Sequence, residues 1–107
     1  EVVIPLAESG GTEAVKRVTH DVATAYRLEG RGRLAPGAWA DLLLFDPATV
    51  GRGARRRVND LPTGASRLDT PAVGVHGVWV NGVRTADERG VRAECGHPGR
   101  VLRTFSA

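Results

Sequence analysis

The residues best equipped for chemistry are few and scattered. Cys95 and His97 stand two apart near the C-terminus, and a thiolate and an imidazole so placed could both reach a zinc ion. Such a site needs at least three protein ligands, and the other histidines, His20 and His76, lie on separate segments. The ordinary reading is a tail cysteine beside a turn histidine. His20-Asp21 has the makings of a proton relay, but neighbours along a helix point in different directions, so a polar helix face is the simpler account. Gly30-Arg31-Gly32-Arg33 and Gly51-Arg52-Gly53-Ala54-Arg55-Arg56-Arg57 join flexible glycines to guanidinium forks, a combination able to grip phosphates. Neither run interleaves aromatic residues for base stacking, and both read as solvated loops. Asn59 to Leu68 is the most suggestive stretch, since Arg67 would meet a substrate carboxylate if this loop reached an active-site entrance. The plainer alternative is a loop that ties two structural units together. No residue of the chain is assigned a catalytic, cofactor-binding or metal-ligating role.

The 107 residues suit one small domain, which buries only about 60 to 70% of its unfolded surface. A hydrophobic share of 41% and a charged share of 25% are ordinary for a globular protein and argue against wholesale disorder. No apolar run approaches the roughly 18 residues of a membrane span, and no basic-then-apolar leader is present. With a single cysteine, no internal disulfide can form, and a cytoplasmic location is expected. The lack of methionine behind a leading Glu1 is expected of a segment of a longer product. The net charge of +3 and pI near 10.0 admit a second reading, a small basic β-rich nucleic-acid-binding module. Against it, the arginines are dispersed among 12 acidic residues and Lys16 is the only lysine.

The elements that must carry these residues are legible in part. Pro5 and Ser9-Gly10-Gly11 mark a loop, and Thr12 offers an N-cap. Ala14, Val15, Val18, Val22, Ala25 and Tyr26 recur at steps of three and four, which predicts an amphipathic helix from Glu13 to about Leu28 that Gly30 stops. Ala35-Pro36-Gly37 is a turn. Leu42-Leu43-Leu44-Phe45, between Asp41 and Asp46, predicts a short buried strand ended by Pro47. Residues 51–72 hold five glycines and prolines with little periodicity and read as a long loop. Val78-Trp79-Val80, Asn81-Gly82 and Val83-Arg84-Thr85 predict a hairpin with strands at 74–80 and 83–88 around a type I′ turn. His97-Pro98-Gly99 is a further turn, with 100–103 a short extended end. One strand and one hairpin are too little for an independent core, so the first residues, a second copy or missing polypeptide should complete the sheet.

The run Gly32-Arg33-Leu34-Ala35-Pro36-Gly37-Ala38-Trp39-Ala40-Asp41-Leu42-Leu43-Leu44-Phe45-Asp46 resembles the segment G-x-[LI]-x-x-G-x-x-A-D-[LI]-x-x-[FLW]-D near the C-terminus of amidohydrolase-superfamily enzymes. Asn59-Asp60-Leu61-Pro62-Thr63-Gly64, Val78-Trp79-Val80-Asn81-Gly82 and Pro98-Gly99-Arg100-Val101-Leu102-Arg103 follow in the order found in enzymes similar to D-aminoacylases and N-acyl-D-amino-acid deacylases. The resemblance spans about three quarters of the chain. It departs at Thr19 to Leu28, where the proline, arginine and glycine of T-x-x-P-A-R-x-x-G-L are replaced, and at the insertion-like Glu8 to Gly11.

This resemblance implies an α+β fragment of a composite (β/α)8 enzyme. Residues 1–30 would be the terminal helical segment of the barrel, and 31–107 the C-terminal part of a small β-sandwich. The parent would use zinc or a similar ion to polarise an amide carbonyl and activate water, with a barrel aspartate as base, releasing a carboxylate and a D-amino acid. Its ligands would come from barrel motifs absent here, so no cofactor is expected in this segment. The implied role is structural, with the rest of the parent chain as partner. Self-association of the isolated piece is expected, nucleic acid and membrane partners are not.

Overall fold

A computed structural model describes residues 11–103 and 105. The loop expected around Pro5 and Ser9, the insertion-like start at Glu8 and the idea that the first residues supply a strand lie outside the described residues.

The predicted single helix is two short ones, α1 (Gly11–Val18) and α2 (His20–Ala25). Thr12 lies inside α1 rather than capping it. The break is at Thr19, whose φ of −120° and ψ of −77° leave the helical region. Its hydroxyl donates to the Val15 carbonyl at 2.7 Å, the back-bonding by which threonine competes with helix continuation. The stop also comes earlier than Gly30. Leu28 N–H donates to Ala23 O at 2.8 Å and Arg27 N–H to Thr24 O at 3.1 Å, with Arg27 at φ 56°. That is a Schellman ending with arginine in the position glycine usually takes. Gly30 and Gly32 serve close packing instead. A Cβ on Gly32, at φ +74°, would lie 2.7 Å from the Thr19 carbonyl oxygen.

The main sheet is antiparallel, with four strands ordered β1-β6-β7-β8. β1 (Leu42–Phe45) pairs with β6 (Val75–Val80), Leu42 opposite Trp79. β6 and β7 (Val83–Asp87) form the predicted hairpin, with Asn81 at φ 49° and Gly82 at φ 82°. Both central residues take the positive φ that a type I′ turn demands. β7 then pairs with β8 (Gly90–Val91). The register slips between Val78 and Trp79, so that Thr85 is the extra residue of a bulge. Its hydroxyl donates to Val78 O at 3.3 Å.

Residues 51–72 are not the irregular loop their composition suggests. β2 (Gly51–Arg52) pairs with β5 (Ala72–Val73), and inside that pair β3 (Arg56–Val58) joins β4 (Arg67–Asp69). The result is a nested two-step arm, turned at its tip by a 3₁₀ turn at Pro62–Gly64. Strands of two and three residues are too short for a period to register. Cross-strand pairs hold the arm: Arg56 to Asp69 at 2.9 Å and Arg57 Nη1 to Ser66 Oγ at 3.0 Å. The arm joins the sheet at Gly74, where any Cβ would lie 2.5 Å from Val50 N. The expected extended end at 100–103 forms no strand, and a second 3₁₀ turn covers Ala93–Cys95.

Burial is thin. Among the described residues only Ala14 (9% exposed) and Ala23 (5%) are buried hydrophobics, and no large side chain is fully enclosed. β1, expected to be buried, leaves Leu43 58% and Leu44 55% exposed. Adjacent strand residues face opposite sides, so each face of β1 carries an uncovered leucine. The radius of gyration, 16.1 Å, exceeds the approximately 13 Å of a compact domain of this length.

Candidate functional site

The described residues converge most tightly where the Ala40-Asp41 pair meets the hairpin turn. Asp41 Oδ1 accepts from Asn81 N–H at 2.9 Å, and Asp41 Oδ2 accepts from Arg31 Nη1. Gly82 N–H donates to the Ala40 carbonyl at 2.9 Å, and Asn81 Nδ2 to the Pro98 carbonyl at 2.6 Å. One carboxylate thus ties three distant segments: the residues after α2, the start of β1 and the β6–β7 turn.

Trp39 stands beside this junction. Its backbone N–H donates to Gly30 O at 2.8 Å, and its ring lies 3.2 Å from where a Gly30 Cβ would be. The guanidinium of Arg31 lies 5.0 Å from the ring centroid and that of Arg100 lies 5.3 Å from it, within cation–π range. A cleft of about 470 Å³ opens here between residues 27–31 and the C-terminal stretch. Among the described residues its lining consists of arginines, Glu29 and apolar side chains.

The residues singled out by type do not assemble. His20 and Asp21 are exposed, and Asp21 pairs with Lys16 at 3.0 Å rather than with its neighbour. That pairing is what holds the Lys16 ammonium above its ordinary range. Cys95 is a free thiol contacting the Gly96 carbonyl at 3.4 Å. His76 lies 3.5 Å from Glu88. Among the described residues no three His, Cys, Asp or Glu side chains come together to hold a metal ion. Arg67 does meet a carboxylate, but an internal one: it grips Asp60 through Nε at 2.7 Å and Nη2 at 2.6 Å. Hydrogen bonding from Arg67 holds Asp60 below the usual carboxylate range, and the arginine's fork is thereby committed within the arm. Arg31 of the glycine–arginine run is likewise engaged by Asp41.

Sequence reading missed the Asp41–Asn81 bond and the Trp39 stack. Forty positions separate Asp41 from Asn81, and the available signal was only local: a lone aspartate immediately before an apolar strand and an asparagine in a tight turn.

The model of the amidohydrolase family matches residues 7–86. The chain belongs to the amidohydrolase family. It is 38% identical over 94 residues to a D-aminoacylase of Alcaligenes xylosoxydans xylosoxydans, covering 88% of this chain and 17% of that protein. From the same organism, an N-acyl-D-aspartate deacylase is 38% identical over 89 residues, covering 83% of this chain and 16% of the relative. An N-acyl-D-glutamate deacylase is 41% identical over 91 residues, covering 84% and 16%. The chain therefore spans about a sixth of the length of these curated relatives. No solved structure gives a significant match. Among the described residues, no helix is long and apolar enough to cross a membrane.

Proposed function

We propose that this chain is the C-terminal part of a metal-dependent amidohydrolase acting on N-acyl-D-amino acids, and that its contribution is structural. It would complete a small β-sandwich and brace a (β/α)8 barrel whose polypeptide lies outside these residues. The observation that carries the reading is a pair of facts taken together. Relatives named for D-amino-acid deacylation align with most of this chain but with only 16–17% of themselves, and each face of β1 carries an exposed leucine.

A strand with an unbroken apolar run is suited to cover on both sides. Enclosing Leu43 and Leu44 would contribute roughly 1–2 kcal/mol each, so missing layers have a physical purpose. Asn81 Oδ1 and Arg84 Nε, enclosed yet without a partner here, are further groups that added polypeptide or solvent would satisfy. In this reading any zinc is held by residues elsewhere in the enzyme, and the site of this chain takes no part in the chemical step. The separated chain exposes the edges of β1 and β8, and self-association follows.

The test is amide hydrolysis by three proteins: the full-length enzyme, the enzyme lacking residues 31–107, and this chain alone. Turnover of N-acyl-D-amino acids by the first, with its loss or aggregation in the second and none in the third, supports the proposal. Turnover by the 107 residues alone, or undiminished turnover without residues 31–107, contradicts it. Sedimentation at high concentration tests self-association, which a strictly monomeric chain would rule out.

A further inference from the structure

We infer that residues 96–103 form a strap that closes one side of the cleft beside Trp39 and opens as a unit, latched at two points to the junction built on Asp41. The first pin is Asn81 Nδ2, which donates to the Pro98 carbonyl at 2.6 Å. The second is the Arg100 guanidinium, 5.3 Å from the Trp39 ring centroid. Around these pins the backbone is thinly supported. Among the described residues the last main-chain bond runs from Cys95 N–H to Arg92 O at 3.3 Å, and no backbone–backbone hydrogen bond involves 96–103. A Cβ on Gly96 or Gly99 would meet no atom within 4 Å. Pro98 is half-buried, whereas the other residues of the strap are exposed. Segments with few buried contacts and no ladder of backbone bonds lie at the low-stability end of local opening. Gly96, at φ +64° directly after the 3₁₀ turn Ala93–Cys95, supplies the pivot.

Both pins rest on the same support. Asn81 is held through its own N–H by Asp41 Oδ1 at 2.9 Å. Asp41 Oδ2 engages Arg31, whose guanidinium lies 5.0 Å from the centroid of the same Trp39 ring that Arg100 contacts. Among the described residues neither of these Asp41 bonds reaches the strap, yet together they fix the places of both pins. Asp41 is therefore a positioning residue for the latch, and disturbing it loosens a segment it does not touch. The strap contributes Arg100, Val101, Leu102 and Arg103 to the cleft wall, so its release widens the cleft and its return completes it. Such a segment can move without unpicking the β6–β7 ladder, because no strand bond has to break.

The test is native-state proteolysis of the full-length enzyme with trypsin, which cleaves after arginine. Mass spectrometry follows cleavage after Arg103, inside the strap, and after Arg89, in the β7–β8 turn, as the control. Where opening is fast relative to cleavage, the rate follows the population of the open form. Asn81→Gly keeps a residue suited to the positive φ of the turn while removing the first pin, and cleavage after Arg103 is expected to rise about three- to tenfold. Arg100→Gln, which removes the second pin, should raise it about two- to fivefold. Asp41→Ala, which alters no strap residue, should raise it about threefold or more. Cleavage after Arg89 should stay within about twofold of the parent in Asn81→Gly and Arg100→Gln. Unchanged cleavage after Arg103 in these two variants, or a rise matched at Arg89, overturns the strap. Acceleration in both without any in Asp41→Ala overturns the shared latch. The readout is independent of amide hydrolysis, so the strap and the proposed function fail separately.

Discussion

The β6–β7 hairpin and the nested arm at residues 51–73 are both antiparallel ribbons, yet they are built on different principles. The hairpin runs five to six residues a side, its turn sets the register, and backbone groups anchor it at both ends. Val75 to Val80 lies between β1 and β7, so its ladder is shared on two sides. The arm has strands of two and three residues in two separate pairs, stitched by side-chain ion pairs that water can reach. Exposed ion pairs contribute little individually. The hairpin therefore resembles a local folding unit, and the arm a form whose definition depends on what it lies against.

The largest loss is expected at the hinge between the two. Gly74, at φ +70°, approaches the backbone at Val50 so closely that a Cβ would lie 2.5 Å from its nitrogen. Gly74→Ala is expected to cost roughly 2–4 kcal/mol of stability, combining strain with a backbone clash. Chemical denaturation of the full-length enzyme would measure it, and a loss below about 1 kcal/mol would mean the arm is not seated there. Asp41→Ala comes next, because it removes both the Asn81 N–H bond and the Arg31 pair. A loss of roughly 1–3 kcal/mol is expected, with exchange of the Asn81 amide accelerated before that of β6. Gly82→Ala should cost about 1–2 kcal/mol, from placing a side chain at φ 82°, read by the same denaturation.

The arm should respond least, and in a pH-dependent way. Asp60 is held below the ordinary carboxylate range by Arg67, as Asp46 is by the Ala48 amide and the Thr49 hydroxyl. A depressed folded-state pKa contributes stability above the unfolded value, near 4, and that contribution disappears as pH falls through the lower folded value. Asp60→Asn is thus expected to lower the arm's melting by about 1–2 °C at pH 7 and to cost progressively less as the solution is acidified below the unfolded value. Amide exchange across 56–69 at pH 7 and in acid checks this; an equal effect in acid would show that the pair is not the cause.

What the sequence made legible follows the same division. Asn81-Gly82, Pro36-Gly37 and Leu42 to Phe45 announce their conformations through residues adjacent in the chain, and the Ala35 carbonyl accepts from Ala38 N–H at 3.0 Å as that turn requires. The arm was hidden because Arg56 and Asp69 are thirteen positions apart, and no periodic signal links them. The helix was drawn too long because apolar spacing continues through Thr19, while the break comes from a hydroxyl competing with the backbone. Arg27 took the left-handed position that glycine usually marks. Arg31 at the candidate site and Arg67 in the arm are legible as cations, but their internal partners Asp41 and Asp60 become visible only once the chain is folded.

We propose that β1, an edge strand in this chain, is covered by the rest of an amidohydrolase. Hydrogen exchange at Leu42 to Phe45, compared between this chain alone and the full-length enzyme, reads that cover directly. Protection about a hundredfold higher in the full-length enzyme is predicted, with Leu43 and Leu44 most affected. Equal protection in the two proteins would contradict the account, since β1 would then gain nothing from the polypeptide beyond these residues.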